Sequence, residues 1–148
     1  MARRIELHTE LPGGAGEIFT ALVRTLSFRR WSRAAVRAGL MPGRGLRYRY
    51  QAGTVLRAGR VVEVMNPVVI TMKEILRDTP CRVGLKMRWR IEPGVSVCVV
   101  RLSVRYRLNH AAIVRRAHWE RRLSIHFHNQ IRFLRSNLEE LRRGAKAV

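Results

Sequence analysis

Residues 81–108 read CRVGLKMRWRIEPGVSVCVVRLSVRYRL, and the phase of this stretch decides the fold. Cys81, Val83, Leu85, Met87, Trp89 and Ile91 alternate with Arg82, Gly84, Lys86, Arg88, Arg90 and Glu92. After Glu92-Pro93-Gly94-Val95-Ser96 the pattern resumes, with Cys98, Val100, Leu102, Val104, Tyr106 and Leu108 against Val99, Arg101, Ser103, Arg105 and Arg107. A period of two held this long predicts two strands, each with one wet and one buried face, joined as an antiparallel hairpin. A turn that sets Glu92 opposite Val97 puts Cys98 against Ile91 and Cys81 against Leu108, too far apart for a disulfide. It also sets Arg88 opposite Arg101 and Arg82 opposite Arg107, pairs of like charge that weaken a sheet.

Working outward, Ile5 to Leu11 alternates as a half-buried strand that Pro12-Gly13-Gly14 ends. From Ala15 to about Leu26, Ile18 and Leu22, with Phe19 or Leu26, recur at helical spacing. A second short helix over Phe28 to Ala38 carries Trp31 and stops at Gly39. Past Pro42-Gly43-Arg44-Gly45 the period becomes two: Leu46, Tyr48, Tyr50 and Ala52 form one strand, and Arg60 to Met65 another. After a turn at Asn66-Pro67, Val68 to Leu76 forms a third. Downstream, Leu123, Phe127, Ile131 (or Gln130), Leu134, Leu138 and Leu141 step by three and four. They mark an amphipathic helix over about 117–143, roughly 40 Å long. Such a stripe needs a broad apolar surface, and the inward face of the strands supplies it. The prediction is one α+β domain over 1–148, with two short helices after its first strand. A curved antiparallel sheet of six or seven strands wraps the C-terminal helix.

Composition agrees with a folded domain: 148 residues, 47% hydrophobic and 27% charged, can bury one core. No apolar run approaches the roughly 18 residues of a membrane span, and the N-terminus lacks the apolar segment of a secretory signal, so a cytoplasmic chain is expected. The net charge of +20 leaves two readings open. One is a basic surface that merely reflects Arg-rich coding, since Lys stands only at 73, 86 and 146. The other is a polyanion contact, RNA, an acidic carrier protein or an anionic membrane, through Arg88, Arg101 and Arg105 on the outer strand face. No Gly-rich phosphate loop, Gly-x-Ser-x-Gly, His-Glu-x-x-His or cysteine cluster occurs, so no metal and no cofactor is expected.

The order of these segments resembles the START-like, or SRPBCC, superfamily nearly end to end. IELHTELPGGAGEIFTAL is similar to its opening strand, Pro turn and first helix, and Trp31 falls where the family often has a Trp. GRGLRYRYQAG resembles its Gly-rich entry to the second strand, and GRVVEVMNPVVIT its strand, Pro turn and strand. The ending, a Trp-bearing strand, a Pro-Gly turn, a long strand and an amphipathic helix, also fits. The resemblance implies a helix-grip fold with a cavity for a hydrophobic molecule such as a lipid, a polyketide or another aromatic or isoprenoid compound. It leaves carriers, sensors and cofactor-free polyketide cyclases or dehydratases open.

The inward phase nominates the lining. Tyr48, Tyr50, Met72, Met87, Trp89, Leu102 and Tyr106 come from the strands, and Trp119, Leu123, Phe127 and Gln130 from the helix. The same positions would serve a filled core. Glu74 falls on the inward phase of its strand, where a carboxylate is either a base of raised pKa, an anchor for a ligand hydroxyl, or a rim residue freed by a local kink. His126 flanks the helix stripe and is the second candidate acid or base, or a histidine hydrogen-bonded within the core. His118 and His128 point further round the helix, towards the surface.

Overall fold

A computed structural model describes residues 3–27, 30 and 43–146. Its elements run β1 (Arg3–Pro12), α1 (Ala15–Ser27), β2 (Arg47–Ala52), β3 (Val55–Met65), β4 (Val69–Asp78), β5 (Cys81–Glu92), β6 (Val97–Leu108), α2 (His110–Val114) and α3 (Arg116–Lys146). The short helix expected over Phe28–Ala38, and Trp31 with it, lies outside the described residues. The six strands form one antiparallel sheet in the order β1-β6-β5-β4-β3-β2: a five-strand meander whose last strand also pairs with the first. Alternation sorts its faces as expected. Val83, Leu85, Met87, Trp89 and Ile91 are buried, while Arg82, Lys86, Arg88 and Arg90 are exposed.

α3 is a 31-residue helix, about 46 Å at 1.5 Å per residue. Its stripe of Trp119, Leu123, Phe127, Leu134 and Leu138 joins the inward strand residues and the buried face of α1 in one core. Each fully buried Leu or Phe of that stripe contributes roughly 1.5–3 kcal/mol. Polar contacts hold the far half of the helix to the N-terminal elements: Asn137 Nδ2 donates to Thr25 Oγ1 at 2.9 Å and Arg135 Nη2 to Thr9 Oγ1 at 2.8 Å. α2 begins at an Asn109 cap, whose Oδ1 accepts from Ala112 N and from Arg82 N.

The last hairpin differs from the expected register by two residues. Glu92 faces Val99, Ile91 faces Val100 and Val83 faces Leu108, so neither cysteine has the expected partner. The cause lies in the turn. Val97 and Cys98 pair with Pro12 and Leu11 of β1, and Gly13 N donates to Ser96 O, so β6 begins on its β1 side before β5 reaches it. A slip of two keeps every side chain on its face. It does change cross-strand neighbours: Arg88 faces Ser103 rather than Arg101, and Gly84 rather than Arg82 faces Arg107. Cys81 and Cys98 are free buried thiols.

β3 is longer than the period suggested. It starts at Val55, after a tight turn at Gly53 (φ 63°) and Thr54, and a bulge between Val61 and Glu63 moves Val61 onto the inward face. The added segment Val55–Gly59 brings two residues, Arg57 and Gly59, into the site.

Candidate functional site

Tyr48, Gly59 and Glu74 lie on one row across β2, β3 and β4, all on the inward face. Gly59 makes the site possible. A Cβ built there would sit 2.5 Å from Tyr48 Oη and 2.6 Å from Lys73 O, so only glycine lets the phenol cross β3. Tyr48 Oη thereby reaches Glu74, donating to Oε2 at 2.5 Å. Gly59→Ala should therefore cost about 1–3 kcal/mol by overpacking, read as a lower denaturant midpoint, and should break the Tyr48–Glu74 bond.

Two guanidiniums complete the cluster. Arg30, just past α1, donates Nε to Glu74 Oε2 at 2.9 Å and Nη1 to Leu26 O at 3.2 Å, which ties it to the last turn of α1. Its Nη2 also lies 2.9 Å from Oε2, an ion-pair contact without hydrogen-bond geometry. Arg57, one inward position from Gly59, donates Nη1 to Glu74 Oε1 at 3.1 Å and to His126 Nε2 of α3 at 3.3 Å. The Arg30 guanidinium lies 5.5 and 5.8 Å from the ring centroids of Tyr48 and Tyr50, which stack on each other.

Among the described residues the cluster thus holds two cations and one anion, with the Glu74 side chain fully enclosed. Burial alone would push the Glu74 carboxyl up, but the charges of Arg30 and Arg57 and the Tyr48 and Arg30 hydrogen bonds outweigh it and hold the pKa below the ordinary value. Glu74 is therefore held as a carboxylate at neutral pH, and of the readings open to it a base of raised pKa is the one these neighbours oppose. Burial, followed by the Glu74 charge, pushes the Tyr48 phenol well up, so it remains a donor. His126 is pushed down to about 3, by burial first and then by Arg57 and Arg30. It is neutral at pH 7, with Nε2 accepting from Arg57 and the proton on Nδ1. Both Glu74 and His126 are thus shifted downward, away from neutral pH. Arg57 presents the surplus positive charge of the cluster.

No family model matches the chain, and no curated protein matches it in sequence. Solved structures do match in fold. Protein MLL2253 from Mesorhizobium loti superposes with a TM-score of 0.64 at 15% identity, over 93% of this chain and 98% of its own. DynU16, from the dynemicin biosynthetic locus, gives 0.60 at 13% identity over 92% of this chain and 47% of its own. The di-domain ARO/CYC StfQ of the steffimycin biosynthetic pathway gives 0.59 at 14% identity over 97% and 52%. This chain shares their fold, a helix grip. It spans about half the length of DynU16 and of StfQ.

Within this helix-grip frame the nominated lining residues fall in two groups. Met72, Met87, Trp89, Leu102, Tyr106, Trp119, Leu123, Phe127 and Gln130 are buried in the core. Tyr48, Tyr50 and His126 gather with Glu74 at the cluster. Three buried polar atoms along the sheet–helix interface have no partner among the described residues: Trp89 Nε1, Trp119 Nε1 and Gln130 Oε1. Buried polar groups are usually paired, and these are open to a bound molecule or to water. Sequence reasoning missed both arginines. Arg57 was detectable by running the phase of Val61 back through Gly59 to Val55; Arg30 sits in no regular element. Among the described residues, no group of three or more His, Cys, Asp or Glu could hold a metal ion, and no helix is long and apolar enough to cross a membrane.

Proposed function

We propose that this helix-grip protein holds a small hydrophobic molecule between the sheet and α3, as a carrier or sensor, and that Arg57 anchors an anionic or electron-rich oxygen on it. One observation carries the reading: among the described residues, the buried cluster has one more guanidinium than carboxylate. Only Nη1 of Arg57 is engaged among the described residues, leaving Nε and Nη2 for a ligand. One turn along α3 from His126, Gln130 adds an unpaired acceptor, and Trp119 and Trp89 add unpaired donors. An apolar wall with a few fixed polar contacts is the ordinary build of a small-molecule site.

The test compares 2-naphthoate with its neutral amide, following quenching of tryptophan fluorescence, beside native mass spectrometry of gently purified protein. The acid should bind at least about tenfold more tightly, the worth of one charge-assisted hydrogen bond. Arg57→Met should abolish the difference. Equal binding of acid and amide would remove Arg57 as anchor; no quenching by either, with nothing co-purified, would remove the ligand site.

A second reading has support from the same cation. A cofactor-free polyketide cyclase or dehydratase must stabilise an enolate, and the unengaged Arg57 N–H groups would do so electrostatically. In that reading Glu74 and His126 position Arg57 and do not move protons.

A further inference from the structure

The outer face of the sheet carries a feature that the ligand site does not use. Arg47 faces Arg60, Arg60 faces Lys73, Lys73 faces Lys86, Lys86 faces Arg105, and Arg105 faces Arg4. One cation thus stands on every strand, in a single row about 24 Å long at the usual strand spacing. All six are exposed, and among the described residues none has an ion-pair or hydrogen-bond partner. Like charges directly opposite one another weaken a sheet, so the row works against the fold.

The neighbouring rows show that the same face can be balanced. Glu63 accepts from Thr71 and pairs with Arg88, Ser103 donates to Glu6, and Arg90 and Arg101 share Glu92. Arg88 and Arg101, expected as polyanion contacts, are therefore already paired with acids of the chain. Beyond the row on its other side, Arg49 and Arg107 flank a floor of Ala58, Ile75 and Gly84. With Tyr48, Gly59, Glu74, Leu85 and Tyr106 of the row between, these residues, Arg4 apart, line a groove of about 1040 Å³. Arg-rich coding alone does not account for it: two of only three lysines in the chain, Lys73 and Lys86, stand side by side at its centre.

We infer that this groove docks the phosphate backbone of a nucleic-acid duplex without reading its bases. A row of exposed cations matches regularly spaced phosphates, and Arg suits phosphate through its fork of donors. A single strand would want aromatic platforms, and the outward positions of these two rows carry none, since Tyr48 and Tyr106 stand on the inward phase. A protein partner would want a buried apolar anchor, which Ala58, Ile75 and Gly84 do not provide. A membrane surface would meet only the rims of a recessed groove.

The probe is a 24-base-pair RNA duplex of arbitrary sequence, followed by fluorescence anisotropy in KCl. Contact with six phosphates predicts an affinity loss of about 1,000-fold between 50 and 200 mM salt. The deciding variant is Lys73→Glu with Arg105→Glu, which makes the signs alternate from Arg4 to Arg60. It should melt at a higher temperature than the parent, by a few degrees, yet bind the duplex at least about 100-fold more weakly at 100 mM salt. Arg121→Glu with Arg143→Glu, an equal charge change on exposed positions of α3, should stay within about threefold of the parent. Equal losses in both pairs would reduce the effect to net charge and overturn the proposal, as would no binding at 50 mM salt. Single-stranded RNA of the same length, or vesicles containing phosphatidylserine, binding as tightly as the duplex would show that the groove has another occupant.

Discussion

Glu74→Gln should destabilise the protein by about 3–5 kcal/mol, because it leaves two guanidiniums in the core with no counter-charge. The carboxylate takes one hydrogen bond from Tyr48, one from Arg30 and one from Arg57, and all three groups are buried. Glutamine keeps the shape but offers one acceptor oxygen and, at the other, an N–H₂ aimed at a guanidinium. The signature that separates this from a simple packing defect is its asymmetry. Arg30→Met also removes contacts to Glu74, yet leaves Arg57 and Glu74 as a neutral pair, so it should cost clearly less than Glu74→Gln. Combining the two substitutions leaves one cation with no anion, so the double variant should recover part of the Glu74→Gln loss. Urea melts of the four proteins give the cycle. A Glu74→Gln loss below about 1 kcal/mol would mean that the cluster is hydrated and its charges do not need one another.

That prediction reverses what burial alone suggested for Glu74, and the reversal shows where sequence reasoning stops. Alternation is a local property, so the inward faces of β5 and β6, the stripe of α3 and the span of α1 were legible. Register is set at the turn, where β1 draws Val97 and Cys98 towards itself, and the phase of β6 contains nothing about β1. The sign of the Glu74 shift was out of reach for the same reason. Burial and neighbouring charge act in opposite directions on a carboxylate, and the deciding charges come from positions 30 and 57, far away in the chain. Gly59 falls just before the strand expected from Arg60 and carried no expectation of its own. It is the gap through which Tyr48 reaches the carboxylate, and a missing side chain leaves no periodic trace. The cation row was hidden likewise: each member is an ordinary outward Arg or Lys, and only five cross-strand registers together align them.

His126 should make the fold sensitive to mild acid. In the unfolded chain a histidine titrates near 6.5, whereas in the folded protein burial, Arg57 and Arg30 push His126 down to about 3. Between those values the unfolded state binds a proton that the folded state refuses, so stability falls as pH drops through this window and is fully present above it. Well inside the window the slope is about 1.4 kcal/mol per pH unit from this one group, which amounts to roughly 1.5 kcal/mol between pH 6.5 and 5. Glu74 adds its own loss only further down, because its folded pKa lies below the ordinary value of 4.5 and its protonation would break the two ion pairs. The two contributions are therefore separable on the pH axis. His126→Gln keeps an acceptor for Arg57 and cannot titrate, so it should flatten stability between pH 6.5 and 5 while leaving the steeper acid limb intact. Denaturant melts at half-unit steps decide the matter. An unchanged slope in His126→Gln would mean that imidazole is protonated in the folded state, beside Arg57, and that the cluster carries one more positive charge than its geometry implies.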